Sequence, residues 1–191
     1  VSTTFGDIEI KTWEQNEILV AYDADEDEEE FVNDIKFNQN GNNLTIKATD
    51  GYGTSFEITV PVNYNLKLMT QAGDIIVSSA LQGEVTASTS GGDVRVKDID
   101  GKVKLITSGG DIFAGNINGN ANITSAGGDL KTGGIKGDAV LSTGGGNVII
   151  LNTNKTLTVS TGGGNVSVGN TGGITKVTTG GGNVAIGKVN G

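Results

Sequence analysis

The residues best placed to do chemistry are three aspartates, Asp93, Asp111 and Asp129, set 18 residues apart. On a chain that coils once per 18 residues they stand above one another, about 4.8 Å per step. Such a carboxylate column could hold a divalent cation or, with one acid protonated beside one ionised, cleave a glycosidic bond. The same beat carries Asn147, Asn165 and Asn183 in the next three coils. Asparagine keeps the hydrogen-bonding oxygen and loses the charge and the acid–base chemistry. What survives the exchange is bonding to backbone N–H groups at a turn, so the column reads as turn capping.

Other chemistry is narrowed by composition. The chain has no Cys and no His, which removes disulfides, thiolate nucleophiles, imidazole bases and the usual zinc ligands. A net charge of −9 speaks against nucleic acid, because phosphate contact wants a basic face. Much of that charge sits in one run, Asp23, Asp25, Asp27 and Glu26–Glu30. The run lacks the glycine that turns a calcium loop, and reads as a solvated loop entering a short helical turn near Glu28–Asp34. The repeat also departs from the calcium-binding nonapeptide G-G-x-G-x-D-x-U-x, since its Asp follows the glycine pair directly. No metal and no cofactor is expected.

These residues are positioned by a repeat. Coils such as TSGGDVRVKDIDGKVKLI (Thr89–Ile106) and TSGGDIFAGNINGNANIT (Thr107–Thr124) follow one another through Thr179, and an earlier coil, Thr70–Ser88, carries one extra residue near Ser79. A period held this strictly marks a solenoid. Counted from its Thr, the coil places apolar residues at position 6 (Val94) and less strictly at 8 (Val96), at 11 in several coils (Ile99, Ile117, Ile135), and at 15 and 17 (Val103 and Leu105). The two-residue alternations are strand signals, and the Gly-Gly and Asp-Gly pairs between them are turns. Two short strands and two bends per coil are expected, with like strands stacked in parallel. The glycines serve positive φ or close approach of neighbouring coils. The general preference for right-handed parallel crossovers predicts a right-handed coil. Continuing the alternation points the position-1 Thr and Ser inward, which makes them an interior ladder and not an ice-binding array.

The first third is expected to form an irregular β-cap over residues 1–69, continuous with a solenoid of about seven coils over 70–191. Gly6-Asp7-Ile8-Glu9-Ile10 copies a coil start, and Ile18–Tyr22 reads as a strand. Asn40-Gly41 predicts a hairpin between Ile35–Phe37 and Leu44–Lys47. Pro61 ends a strand over Phe56–Val60. Position 7 should face outward, yet it carries Ile76, Phe113 and Ile149, with Leu151 nearby. These four residues are the candidate partner-contact stripe.

With the Gly6–Ile10 opening, Val60-Pro61 and the T-x-G-G-D-[VI] coils from Thr70 onward, the chain resembles the adhesin family of glycine-rich β-solenoid domains of unknown function, common in Bacteroidetes cell-envelope proteins. The resemblance runs over nearly the whole chain. It implies an exported or surface-attached protein, anchored through a segment outside this sequence, and it brings no catalytic residues with it. The opening at Val1 and the lack of an apolar run long enough to span a membrane agree with that expectation.

The expected class is therefore all-β, a single-chain parallel β-solenoid. The expected function is non-enzymatic, a secreted or cell-surface adhesin or scaffold with an unknown glycan or protein ligand. The alternatives are a carbohydrate-active β-helix, or a structural subunit that self-associates end to end through the uncapped coil at Gly191.

Overall fold

The computed structural model describes residues 1–23, 35–49 and 53–190. The strands that precede the repeat are β1 (Ile8–Trp13), β2 (Leu19–Tyr22), β3 (Ile35–Asn40), β4 (Asn43–Ala48), β5 (Phe56–Pro61) and β6 (Leu66–Met69). The repeat then gives β7 (Ile75–Val77), β8 (Leu81–Gln82), β9 (Val85–Ser88), β10 (Val94–Val96), β11 (Ile99–Asp100), β12 (Val103–Thr107), β13 (Ile112–Ala114) and β14 (Ala121–Ser125). It continues with β15 (Leu130–Ile135), β16 (Ala139–Thr143), β17 (Val148–Thr153), β18 (Leu157–Thr161), β19 (Val166–Thr171), β20 (Thr175–Thr179) and β21 (Val184–Ile186). The described residues form no helix. The expected turn near Glu28–Asp34 lies outside them.

Positions 6 and 8 build one face, a ten-stranded sheet in the order β2-β5-β1-β7-β10-β13-β15-β17-β19-β21. Positions 15 and 17 build a second, seven-stranded, from β6 to β20. Pairing is parallel with an 18-residue step: Val94 lies beside Ile112, Ile112 beside Leu130, and Leu130 beside Val148. The core between the sheets is almost wholly aliphatic, with Ile75, Val94, Leu105, Ile112, Ile123, Leu130 and Leu141 all fully buried. Each such side chain stabilises by roughly 1.5–3 kcal/mol.

The coil has three sides where the alternation predicts two strands. β8 and β11 pair in parallel, and single bridges carry the third side onward through Ile99, Ile117 and Ile135. One apolar residue at position 11, flanked by polar ones, closes the core there without a two-residue alternation to announce it. In that column Thr153 stands where the three coils before it carry Ile99, Ile117 and Ile135, and its buried hydroxyl has no hydrogen-bond partner.

The inward Thr ladder is present. Thr89, Thr107, Ser125, Thr143 and Thr161 are buried. Each hydroxyl donates to a glycine carbonyl of the preceding coil, as Thr107 Oγ1 does to Gly92 O at 2.8 Å. Each also accepts from an N–H three residues on in its own coil, as Thr107 does from Gly110. Of the glycines at positions 3 and 4 of the coil, only the second is sterically compelled, as are those at position 2 in the later coils, such as Gly162. A Cβ at Gly128 would overlap the Gly110 carbonyl, whereas one at Gly163 would meet open space. Close approach, not positive φ, is the reason here: among described glycines only Gly41, Gly53 and Gly83 have positive φ. Gly41, at 58°, turns the β3–β4 hairpin.

The first third extends the same two faces, out of chain order. β1 lies between β5 and β7, parallel to both, so Ile8 meets Phe56 on one side and Ile75 on the other. Ser2 likewise bridges Lys47 and Met69. The chain after β5 rises past the end of β1, with Val62 N–H donating to Trp13 O, and completes that layer through β6.

Two stability measurements follow. Gly128→Ala should cost at least about 2 kcal/mol in denaturant unfolding, while Gly163→Ala should be neutral or slightly stabilising. Thr153→Val, which removes an unpaired buried hydroxyl at nearly constant shape, should raise stability by about 1 kcal/mol.

Candidate functional site

The aspartate column is a set of ties between coils. Asp93 N–H donates to Asp74 Oδ1 at 2.7 Å, Asp111 N–H to Asp93 Oδ1 at 2.7 Å, and Asp129 N–H to Asp111 Oδ1 at 2.7 Å. The series continues through Asn147, Asn165 and Asn183 at 2.6–2.9 Å, and begins at Asp7, whose Oδ1 accepts from Asp74 N–H. Capping is right in kind, but the donor belongs to the following coil and not to the local turn. An amide oxygen can accept this bond too, at 2.9 Å where the carboxylates accept at 2.6–2.7 Å, so Asn can stand where Asp does.

The other two corners use the same device. Asp98 Oδ1 accepts from Asn116 N–H at 2.7 Å, and Asn120 Oδ1 accepts from Asp138 N–H at 3.0 Å. The Asn116 amide also reaches both Asp98 oxygens. These bonds to the charged form hold the Asp98 carboxyl below its ordinary range. Among the described residues no group of three or more acids is placed to hold a metal ion. The acidic run from Asp25 to Glu30 lies outside the described residues.

The outward face of the ten-stranded sheet is different. Its position-7 residues align in one column, Ile76–Arg95–Phe113–Lys131–Ile149–Ser167. Apolar and cationic side chains alternate from Ile76 to Ile149, each about 4.8 Å from the next. Arg95 sits over the Phe113 ring at 5.4 Å, a cation–π contact. It also pairs with Asp93 at 2.7 Å and Asp74 at 3.4 Å. Beside the column runs position 9, with Lys97, Gly115, Gly133, Leu151 and Gly169. The glycines lower the surface there and leave a trough of about 740 Å³.

All four residues of the candidate stripe line this trough. Ile76 and Phe113 are half-buried, while Ile149 is 46% and Leu151 60% exposed. The stripe reading omits Arg95, Lys97 and Lys131, which share the same wall. The alternation that would have found them is visible along position 7, but a single exposed Lys or Arg looks like ordinary surface.

A family model described as Toastrack DUF4097 matches residues 1–188 of the chain. No curated protein matches it.

The Asp98 tie gives a pH test. Its folded carboxyl titrates below its unfolded value, so its contribution is complete above about pH 4 and is lost as the pH falls through the folded value. The stability difference between wild type and Asp98→Asn should therefore shrink in wild type's disfavour on acidification from about pH 5 to 2, read by thermal melts.

Proposed function

The chain belongs to the Toastrack family of solenoid domains, a family of unknown function, and from that premise we propose that it is a non-enzymatic, exported or cell-surface scaffold that adheres to a ligand through one side. The carrying observation is the outward face of the ten-stranded sheet. Outward positions do not build the core, yet this one gathers Ile76, Phe113, Ile149 and Leu151 into a trough spanning several coils. Contiguous exposed apolar surface of this sort marks interaction sites. The cell-envelope setting of the resembling adhesin domains supports the same reading.

A polysaccharide-cleaving reading has less to stand on. It needs an acid and a nucleophile or base facing each other across a groove. The Asp93, Asp111 and Asp129 carboxylates instead lie on one column, each with one oxygen taken by the next coil's backbone.

The test is a binding screen of the purified chain against glycans and cell-surface extracts, with light scattering on the same sample. Saturable binding is expected, weakened about tenfold or more by Phe113→Ser or Ile149→Ser while the melting temperature holds. Absence of binding, with particle size growing with concentration, would replace the adhesive reading by one of self-assembly.

A further inference from the structure

The trough has a charge and a spacing that specify its ligand more narrowly. On a chain of net charge −9 it is lined by Arg95, Lys97 and Lys131 and by no acid. Arg95 is held at the rim by Asp74 and Asp93, while Lys97 and Lys131 form no ion pair among the described residues. Asp74 and Asp93 offset Arg95, the aspartate column runs two residues away and Glu9 lies beside Ile76, so the positive charge that an anionic ligand would meet is that of Lys97 and Lys131.

Along the column the cations Arg95 and Lys131 stand two coils apart, about 9.6 Å, and so do the apolar rungs Ile76, Phe113 and Ile149. An extended peptide presents same-side residues every two positions, about 6.7 Å, and falls out of step after one rung. A polyproline-type helix repeats every ~9.3 Å, but it is read by aromatic-lined grooves, and this trough has one ring. A linear glycan with a carboxylate on alternate sugars repeats once per disaccharide, roughly the two-coil step. Its carboxylates would meet Lys131 and compete with Asp74 and Asp93 for Arg95, and the apolar C–H face of the following sugar would lie on the exposed Ile149 and Leu151.

Resting on the reading that this face binds a ligand, we propose that the ligand is an acidic polysaccharide with uronate on every second sugar, laid along the solenoid axis.

The test uses hyaluronan oligosaccharides of defined length, in which glucuronate alternates with N-acetylglucosamine, measured by calorimetry on the intact chain. Binding should weaken about tenfold or more with Lys131→Gln, with Arg95→Gln and with oligosaccharides whose carboxyls are reduced to alcohols. It should also weaken as salt rises, and Lys104→Gln on the opposite sheet should leave it unchanged. No hyaluronan binding, binding indifferent to both Lys131→Gln and Arg95→Gln, or tighter binding of an acidic proline-rich peptide would each overturn the proposal. If the screen then finds a different ligand sensitive to Phe113→Ser, the adhesive face stands and only its ligand class is wrong. If Phe113→Ser and Ile149→Ser change no binding at all, both readings fall.

Discussion

One constraint governs this chain: each coil must lie on its neighbour at strand spacing along its faces and also around its corners. Faces meet that demand through parallel ladders, which any extended segment can supply. Corners cannot, because a bend points its N–H and C=O groups out of the ladder. The chain answers with three side-chain devices: Thr or Ser at position 1, glycine at position 4, and Asp or Asn at position 5. The hydroxyl donates to the coil before, the glycine lets the two backbones touch, and the side-chain oxygen receives the N–H of the coil after. Buried backbone groups without partners are costly, so losing any one device exposes the other two.

That division of labour explains where function can be written. Inward positions are bound to aliphatic packing and corner positions to hydrogen bonding. Position 7 is not needed for either, while position 9 is glycine at Gly115, Gly133 and Gly169, where a Cβ would meet the coil before. The pattern at position 7, cation alternating with apolar residue, has no role in closing the coil, and the glycines beside it serve the close approach of neighbouring coils. The aspartates, first in line for chemistry by residue type, are by contrast consumed by the fold. Their uniform spacing is the spacing of the backbone they tie.

Much of this was legible in the sequence, for a physical reason: in a solenoid, spatial neighbours are one period apart, so reading down a column of the repeat is reading a contact map. Val94, Ile112 and Leu130 could be stacked before any coordinates, and the inward turn of Thr107 followed from alternation alone. The third side was not legible, because Ile99 or Ile117 standing singly among polar residues carries no period of two. Nor was the inter-coil role of Asp111, whose partner lies 18 residues away while capping motifs are read locally. The trough was half legible. Phe113 and Ile149 stood out as apolar residues on an outward beat, while Lys131 is conspicuous only once its neighbours above and below are known.

The out-of-order first strand has a consequence for how the molecule is made. During synthesis β1 leaves the ribosome before both strands that will flank it, and its partners Phe56–Pro61 and Ile75–Val77 follow only after a long stretch of chain. Until then it is an extended segment with two open edges, of the kind that invites wrong pairing. The repeats behind it can stack one upon another as they emerge, each with a neighbour already in place. Assembly therefore has two kinds of step: quick local accretion along the coils, and one long-range closure in which β1 waits for β5 and β7 before it is clasped.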